Sequence, residues 1–328
     1  MATLKIRLLQ IAGIIVLCPG LAFAEPRLMT RSRILMGTSF EITVDAEPAM
    51  AEQGFDLFFR EIERLEGLLS HYDPASDLRS LMKSKDRKKY EAADDLYKVL
   101  QEAHTISSWS QGYFDITVGV WTPPNGVFDQ RKTNDPRIGW EMVELHSHNR
   151  VRLGAKDMQL DLGGLAKGYA LDRGRDKLLE LGIDRFLLSS GGSTYLAGLP
   201  PEGKLGWPVL IPALMNKGYG RLVNLLRGAL SVSECPSNPE GCGIFDPVNR
   251  VMVVGPRAAA VLASRAVMAD GLSTALLVCP QKINDKVLEN AGTSSAWVTK
   301  NNKESFLGSN AKLDFQRAFN AGGSLDSP

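Results

Sequence analysis

Apolar residues along the chain recur with two spacings. From Pro48 to Leu69 they fall at Phe55, Phe58, Ile62, Leu65 and Leu69, three and four apart, which predicts an amphipathic helix. Ala92 to Trp109 repeats the spacing through Leu96, Val99, Leu100 and Ile106. Lys167 to Leu181 does so through Tyr169, Ala170, Leu178 and Leu179, with Gly182 placed as a C-terminal cap. Val267 to Val278 reads as a further helix. Strand-like patterns occupy Ile34–Val44, Val151–Leu162, Phe186–Ser190, Trp207–Ile211, Gly228–Val232, Val251–Val254, Ala259–Ser264 and Ala296–Thr299. Polar Asp73–Lys89 and the Pro-, Gly- and Asn-rich Thr122–Arg137 read as loops, and from about Gly308 the chain reads as a loose tail. Strands and helices mix without regular β-α-β alternation, and no repeat or low-complexity linker intervenes. The pattern predicts an α+β domain in two lobes sharing one cleft.

The segment before the first strand follows another rule. Lys5 and Arg7 precede an apolar run, Leu8–Leu17, which Pro19-Gly20 breaks before the small-x-small triplet Ala22-Phe23-Ala24. This predicts a secretory signal peptide over 1–24 and a mature chain from Glu25. The run is too short to cross a bilayer, which takes about 20 residues. Leu17 and Pro19 around Cys18 do not suit a lipid-attachment box, so no stable membrane anchor is expected. The domain is then expected over 25–307 and the tail over 308–328.

Composition narrows the function. In 328 residues, 38 Lys and Arg stand against 37 Asp and Glu, which leaves no broad basic field to recruit nucleic acid. Hydrophobic residues at 44% are enough to fill a globular core. Export implies an oxidising compartment. Cys235 and Cys242 bracket a turn-rich stretch and read either as a short-loop disulfide or as two thiols, whereas Cys279 reads as a small buried hydrophobe.

Candidate chemistry lies in a few segments, each with a plainer alternative. Asp161-Leu162-Gly163-Gly164-Leu165-Ala166-Lys167-Gly168 joins a strand to a helix. It reads as a phosphate cradle at a helix start with Lys167 as a point charge, or as a tight turn needing small residues. It is neither a Walker loop nor a G-x-G-x-x-G fingerprint. Asp270 and Thr274, at i and i+4, offer oxygens on one helix face to a hard cation such as Mg²⁺, or form a capping Asp and a back-bonded Thr. Tyr113-Phe114-Asp115 lines a ligand or opens a strand; Tyr72 stacks on a ring or packs on a helix end; Ile244-Phe245-Asp246-Pro247 marks a turn. There is no G-x-S-x-G elbow, and Glu144, His146 and His148 read as one solvated strand face.

Taken together these segments resemble the ApbE family, the FAD:protein FMN transferases. The resemblance runs from about Met36 to Val298 through Met36-Gly37-Thr38, Leu69-Ser70-His71-Tyr72, Gly112-Tyr113-Phe114-Asp115, the block Asp161 to Asp172, and Ala269-Asp270-Gly271-Leu272-Ser273-Thr274-Ala275. It implies a T-fold-like core of mixed sheet and helix with a ligand cleft between two lobes. It also implies a periplasmic enzyme that uses Mg²⁺ to cleave FAD and leaves FMN on a Thr of an exported flavin-acceptor protein, a redox subunit. Carried over residue by residue, the FAD contacts are Met36, Tyr72, Tyr113, Phe114, Asp115, Asp161, Lys167 and Ile244. The metal is held by the Gly164 carbonyl, Asp270 and Thr274, the last two being the catalytic pair. The sequence departs from the family at Ser193, where an Asp is usual, and at Met82, near a usual Asn. It departs most at Gly243, where the family has a His that assists transfer. These departures admit two alternatives: an FAD-binding protein without transfer, or an FAD pyrophosphatase releasing FMN and AMP.

Overall fold

The computed structural model describes residues 27–84, 90–121, 135–211, 221–236, 241–291, 295–301, 303–308, 310 and 314. The predicted signal peptide, most of the 122–137 connection and nearly all of the tail lie outside these residues.

Two strands, β1 (Arg27–Leu35) and β2 (Thr38–Ala46), open the fold as a hairpin. The alternation from Ile34 to Val44 reads as one strand in the sequence. The structure breaks it at Met36 and Gly37, whose φ angles of 50° and 73° form a two-residue reversal. On β2, Phe40, Ile42, Val44 and Ala46 point inward and alternate with outward polar residues. Arg31 and Arg33 of β1 pair in register with Ile42 and Phe40, so they lie on the inward face. They reach helix α1 (Pro48–Leu69), where they pair with Glu52 and Glu63 and cover the rings of Phe55 and Phe59.

The Asp73–Lys89 segment is not all loop. Ser76 caps α2 (Asp77–Lys83) by accepting from Arg79 N–H at 3.0 Å, and Leu78, Leu81 and Met82 are buried at helical spacing. Short β3 (Tyr90–Glu91) leads into α3 (Asp94–Trp109). A small sheet pairs β3 and β4 (Val143–His146) with β5 (Arg150–Leu153). The predicted strand Val151–Leu162 therefore ends at Leu153, and the rest is irregular chain leading to α4 (Ala166–Glu180). His148 sits in the turn after β4 with φ 59°, so it does not continue a strand face with Glu144 and His146.

The remaining strands are β6 (Phe186–Ser190), β7 (Thr194–Ala197), β8 (Trp207–Ile211), β9 (Arg221–Leu225), β10 (Gly228–Cys235), β11 (Phe245–Asp246), β12 (Val251–Met252), β13 (Arg257–Ala263), β14 (Ser295–Lys300) and β15 (Lys303–Leu307). Helices α5 (Ala266–Val278) and α6 (Gln281–Ala291) lie between β13 and β14. Of these elements the sequence pattern misses β7, β9, β11, β15 and α6. The four strands are short hairpin partners, and α6 is separated from α5 only by Cys279 and Pro280. The main sheet is eight-stranded and antiparallel at every pairing, in the order β1-β2-β6-β7-β10-β13-β14-β15.

Both faces of the sheet's centre are covered. Ala229, Ala259, Val261, Ala296 and Val298 join the core shared with the helices. Leu230, Val232, Ala258, Ala260 and Trp297 face the β8–β9 ribbon through Trp207, Val209, Ile211, Val223 and Leu225. Helix α5 lies against β10 and β13, with α4 beside it and α1 beyond. It is apolar nearly all round, as a fully enclosed helix must be, and Thr274 is its one residue that is not buried.

Helices α4 and α5 cap each other. Neither has a side-chain cap from its own N-cap residue. Instead Asp172 of α4 accepts from the N–H groups of Ala266 and Val267, both at 3.0 Å, and Asp270 of α5 accepts from Gly168 N–H at 2.9 Å. Burial pushes both carboxyls up, and these hydrogen bonds oppose it. The exchange needs close approach: a Cβ at Gly168 would stand 2.3 Å from the Ala266 carbonyl oxygen. Gly168→Ala is expected to destabilise the protein by about 2 kcal/mol, since rigid backbone cannot yield and overpacking outweighs the gain of about 1 kcal/mol in helix propensity. Denaturant unfolding measures this; a stabilised variant would show that the helices separate freely.

Candidate functional site

A cleft of about 320 Å³ opens where the α4 and α5 N-terminal halves meet the end of β10 and the β11–β12 hairpin. Its wall includes Tyr113, Phe114, Asp115, Asp161, Gly164, Lys167, Ile244, Asp270 and Thr274. These residues come from segments spread over most of the chain. Met36 and Tyr72, also predicted as flavin contacts, lie outside this wall. Met36 sits in the β1–β2 turn, where its N–H donates to the Glu66 carboxylate at 2.8 Å. Tyr72 is 71% exposed, edge-on to His71.

Each wall residue is held for a local reason. Phe114 N–H donates to Ser110 Oγ at 3.0 Å, which turns the chain out of α3. Asp115 caps the short 3₁₀ turn Ile116–Val120. Its Oδ1 accepts from Thr117 N–H (2.8 Å) and Oγ1 (2.7 Å), and its Oδ2 from Trp140 N–H (3.0 Å). Burial nevertheless pushes its carboxyl up to about 6. Asp161 Oδ1 accepts from Gly163 N–H at 2.8 Å and shapes the glycine turn. A Cβ at Gly164 would stand 2.9 Å from the Phe114 ring and 3.5 Å from Thr274 Cγ2, so only glycine lets this loop pass between them.

The helix start is not an open row of donors. Ala166 N–H is already bound to the Leu162 carbonyl at 2.8 Å, and Gly168 N–H to Asp270. The positive element at this point is Lys167. Its Nζ donates to the Gly163 carbonyl at 2.7 Å and lies 3.6 Å from Asp270 Oδ2. Asp270 thus faces a cation on one side and the sheet on the other.

Behind Asp270 runs a ladder of hydroxyls. Thr194 Oγ1 lies 3.4 Å from Asp270 Oδ1 and shares a hydrogen bond of 2.9 Å with Ser231. Ser273 lies 3.3 Å from Ser231 and shares a 2.8 Å bond with Ser233, which in turn lies 3.3 Å from Thr274. Ser193, Ser233, Gly243, Phe245 and Pro247 also line the cleft. Ser193 and Gly243 stand out in the sequence only as departures from the family pattern. Ser233 is missed, although Ser231, Ser233 and Cys235 alternate along β10 and mark its helix-facing side. Cys235 and Cys242 are bridged, just before Gly243. Met82 Sδ accepts from Leu160 N–H at 3.0 Å, a structural duty away from the cleft wall.

The chain is similar to known proteins over most of its length. A protein from Vibrio cholerae named FAD:protein FMN transferase is 25% identical over 283 residues, covering 77% of this chain and 82% of that protein. One of the same name from Haemophilus influenzae is 25% identical over 312 residues, covering 85% and 89%. Among solved structures, the ApbE protein of Thermotoga maritima superposes with a TM-score of 0.77 at 20% identity, covering 89% of this chain and 100% of that one. A His-to-Gly variant of the Vibrio cholerae flavin transferase gives 0.76 at 20% identity, covering 88% and 99%. With the family model matching residues 36–297, this chain belongs to the ApbE family.

Proposed function

We propose that this protein is an exported, Mg²⁺-dependent FAD:protein FMN transferase whose acceptor is a Thr of a periplasmic redox subunit. The observation that carries the reading is one cleft gathering aromatic, cationic and hard-oxygen groups: Tyr113 and Phe114, Lys167, and Asp270 with Thr274. Relatives of the same family bear that name. Among the described residues no helix is long and apolar enough to cross a membrane. The export expectation rests on residues 1–24.

The donor set suits magnesium. Asp270 and Thr274 supply hard oxygens one helical turn apart, and the Gly164 carbonyl belongs to a loop that passes Thr274 closely. Among the described residues no group of three or more His, Cys, Asp or Glu is arranged to hold a metal. An ion held here would rest on one carboxylate, Asp270, and would take most of its ligands from phosphate and water, as Mg²⁺ commonly does. When bound, it neutralises charge on the pyrophosphate oxygens.

The chain's own groups do the rest. Tyr113, half-buried at the mouth, offers a ring face to a planar heterocycle. Lys167 brings positive charge toward the departing AMP phosphate. The acceptor hydroxyl oxygen bonds to the flavin-side phosphorus. The bond from that phosphorus to the bridging oxygen breaks, and AMP leaves with that oxygen and its electron pair. The hydroxyl proton passes to the medium. Gly243 favours a second reading, FAD held without transfer or hydrolysed to FMN and AMP: with φ +74° this position on the cleft wall disfavours any side chain.

Incubating the protein with FAD, Mg²⁺ and a flavin-acceptor domain is expected to give fluorescent protein on a denaturing gel and one AMP per flavin attached. AMP with free FMN identifies a pyrophosphatase, and tight FAD binding with neither product identifies a carrier. Asp270→Asn keeps an acceptor for Gly168 N–H but loses the charge. It is expected to weaken Mg²⁺ binding roughly a hundredfold, as loss of a direct ligand costs at least as much as loss of its supporting partners. Asp270→Ala is expected to cost about 1–3 kcal/mol of stability as well, because it strands that buried N–H. Calorimetric Mg²⁺ titration in the presence of FAD checks the first effect; near wild-type affinity in Asp270→Asn removes Asp270 from the metal.

A further inference from the structure

The disulfide lies against the cleft. Cys235 ends β10, two residues after the cleft residue Ser233, and is fully buried. Its partner Cys242 is half-buried and directly precedes Gly243, Ile244 and Phe245, all on the cleft wall. We infer that Cys242, through its bridge to Cys235, is the positioning residue for this rim, so that the cleft holds FAD tightly only while the bridge is intact. The inference rests on the flavin reading above and adds a redox condition to it.

The rim is pinned at two points. One is the bridge, whose sulfurs lie 3.4 and 3.6 Å from the Val253 carbonyl oxygen. The other is the stretch after Gly243, where the Ile244 carbonyl accepts from Val253 N–H at 2.8 Å, Phe245 and Asp246 pair with Met252 and Val251, and the Phe245 ring packs on Trp121. Between them Gly243 has φ +74°, and Gly241, on the other side of Cys242, has φ +85°. Glycine is the residue with most backbone freedom to lose, so residue type does not fix this conformation, and on the Cys242 side the covalent tie does. Cutting the bridge leaves Gly243 held from the Ile244 side alone, and ligand binding must then order that end of the rim at its own expense.

The step balances. A dithiol reductant attacks Cys242, the less buried of the two cysteines, as thiolate. It gives up two electrons and two protons, the S–S bond becomes two thiols, and the reductant becomes its own disulfide. Cys279 stands apart, buried near the Ser110 carbonyl, with burial pushing its thiol up to about 12.

The test uses the full chain carrying Cys18→Ala and Cys279→Ala, so that thiol titration counts only the bridge. FAD affinity is measured by fluorescence quenching before and after dithiothreitol. On reduction the Kd is expected to rise at least about tenfold, to recover on reoxidation, and to do so without change in far-ultraviolet circular dichroism. Cys235→Ser/Cys242→Ser is expected to match the reduced form. An unchanged Kd with both thiols titratable overturns the inference, as does loss of the dichroism signal on reduction, which would make the bridge a support of the fold. Failure of the oxidised protein to bind FAD overturns the flavin reading itself.

Discussion

Two buried carboxylates, Asp172 and Asp270, hold the centre of this molecule by exchanging places at each other's helix ends. A helix start inside a protein leaves N–H groups that water cannot reach, and they need an acceptor. Here each helix takes that acceptor from its neighbour, and the positive helix end offsets part of the cost of burying a negative charge. The arrangement fixes α4 and α5 in rotation and in translation together. It also brings Lys167 and Thr274 to one cleft, since each lies within a turn of a shared hydrogen bond. The site is therefore an outcome of helix packing as much as of loop design.

The hydroxyl ladder from Thr194 through Ser231, Ser273 and Ser233 extends that logic into the sheet. An apolar α5 packed on an apolar β10 would leave Asp270 facing hydrocarbon. Small hydroxyl residues supply polar neighbours without adding bulk, so the helix still lies flat on the strand. The face of β10 toward α5 is polar near the cleft and apolar at Ala229, farther along the strand.

How much of this is legible in the sequence depends on how local its causes are. The long amphipathic helix Pro48–Leu69 is read to the residue, because its burial follows one face of a single helix. The β1–β2 reversal is not, because Met-Gly carries a weaker turn signal than Asn-Gly and the alternation runs through it. Helix α2 hides behind its charges, although Ser76 caps it as a helix start should be capped. At the site, the segments carrying Asp161, Lys167, Asp270 and Thr274 are recognisable from their order along the chain. Their meeting in one wall is a property of the fold, as is the placement of Met36 and Tyr72 away from it. Asp172 is legible only as a motif letter, since its partners Ala266 and Val267 lie more than ninety residues on.

Arg31 and Arg33 give the outermost strand a different character. A free strand edge can template another chain, and charged residues pointing toward the core are a known guard against it. These two arginines are tethered twice, by carboxylates on α1 and by the faces of Phe55 and Phe59. Salt screens the first tether far more than the second. A strand docking flush against β1 would have to displace guanidinium groups and uncover two phenylalanine rings. The edge thus keeps its guard from dilute to concentrated salt.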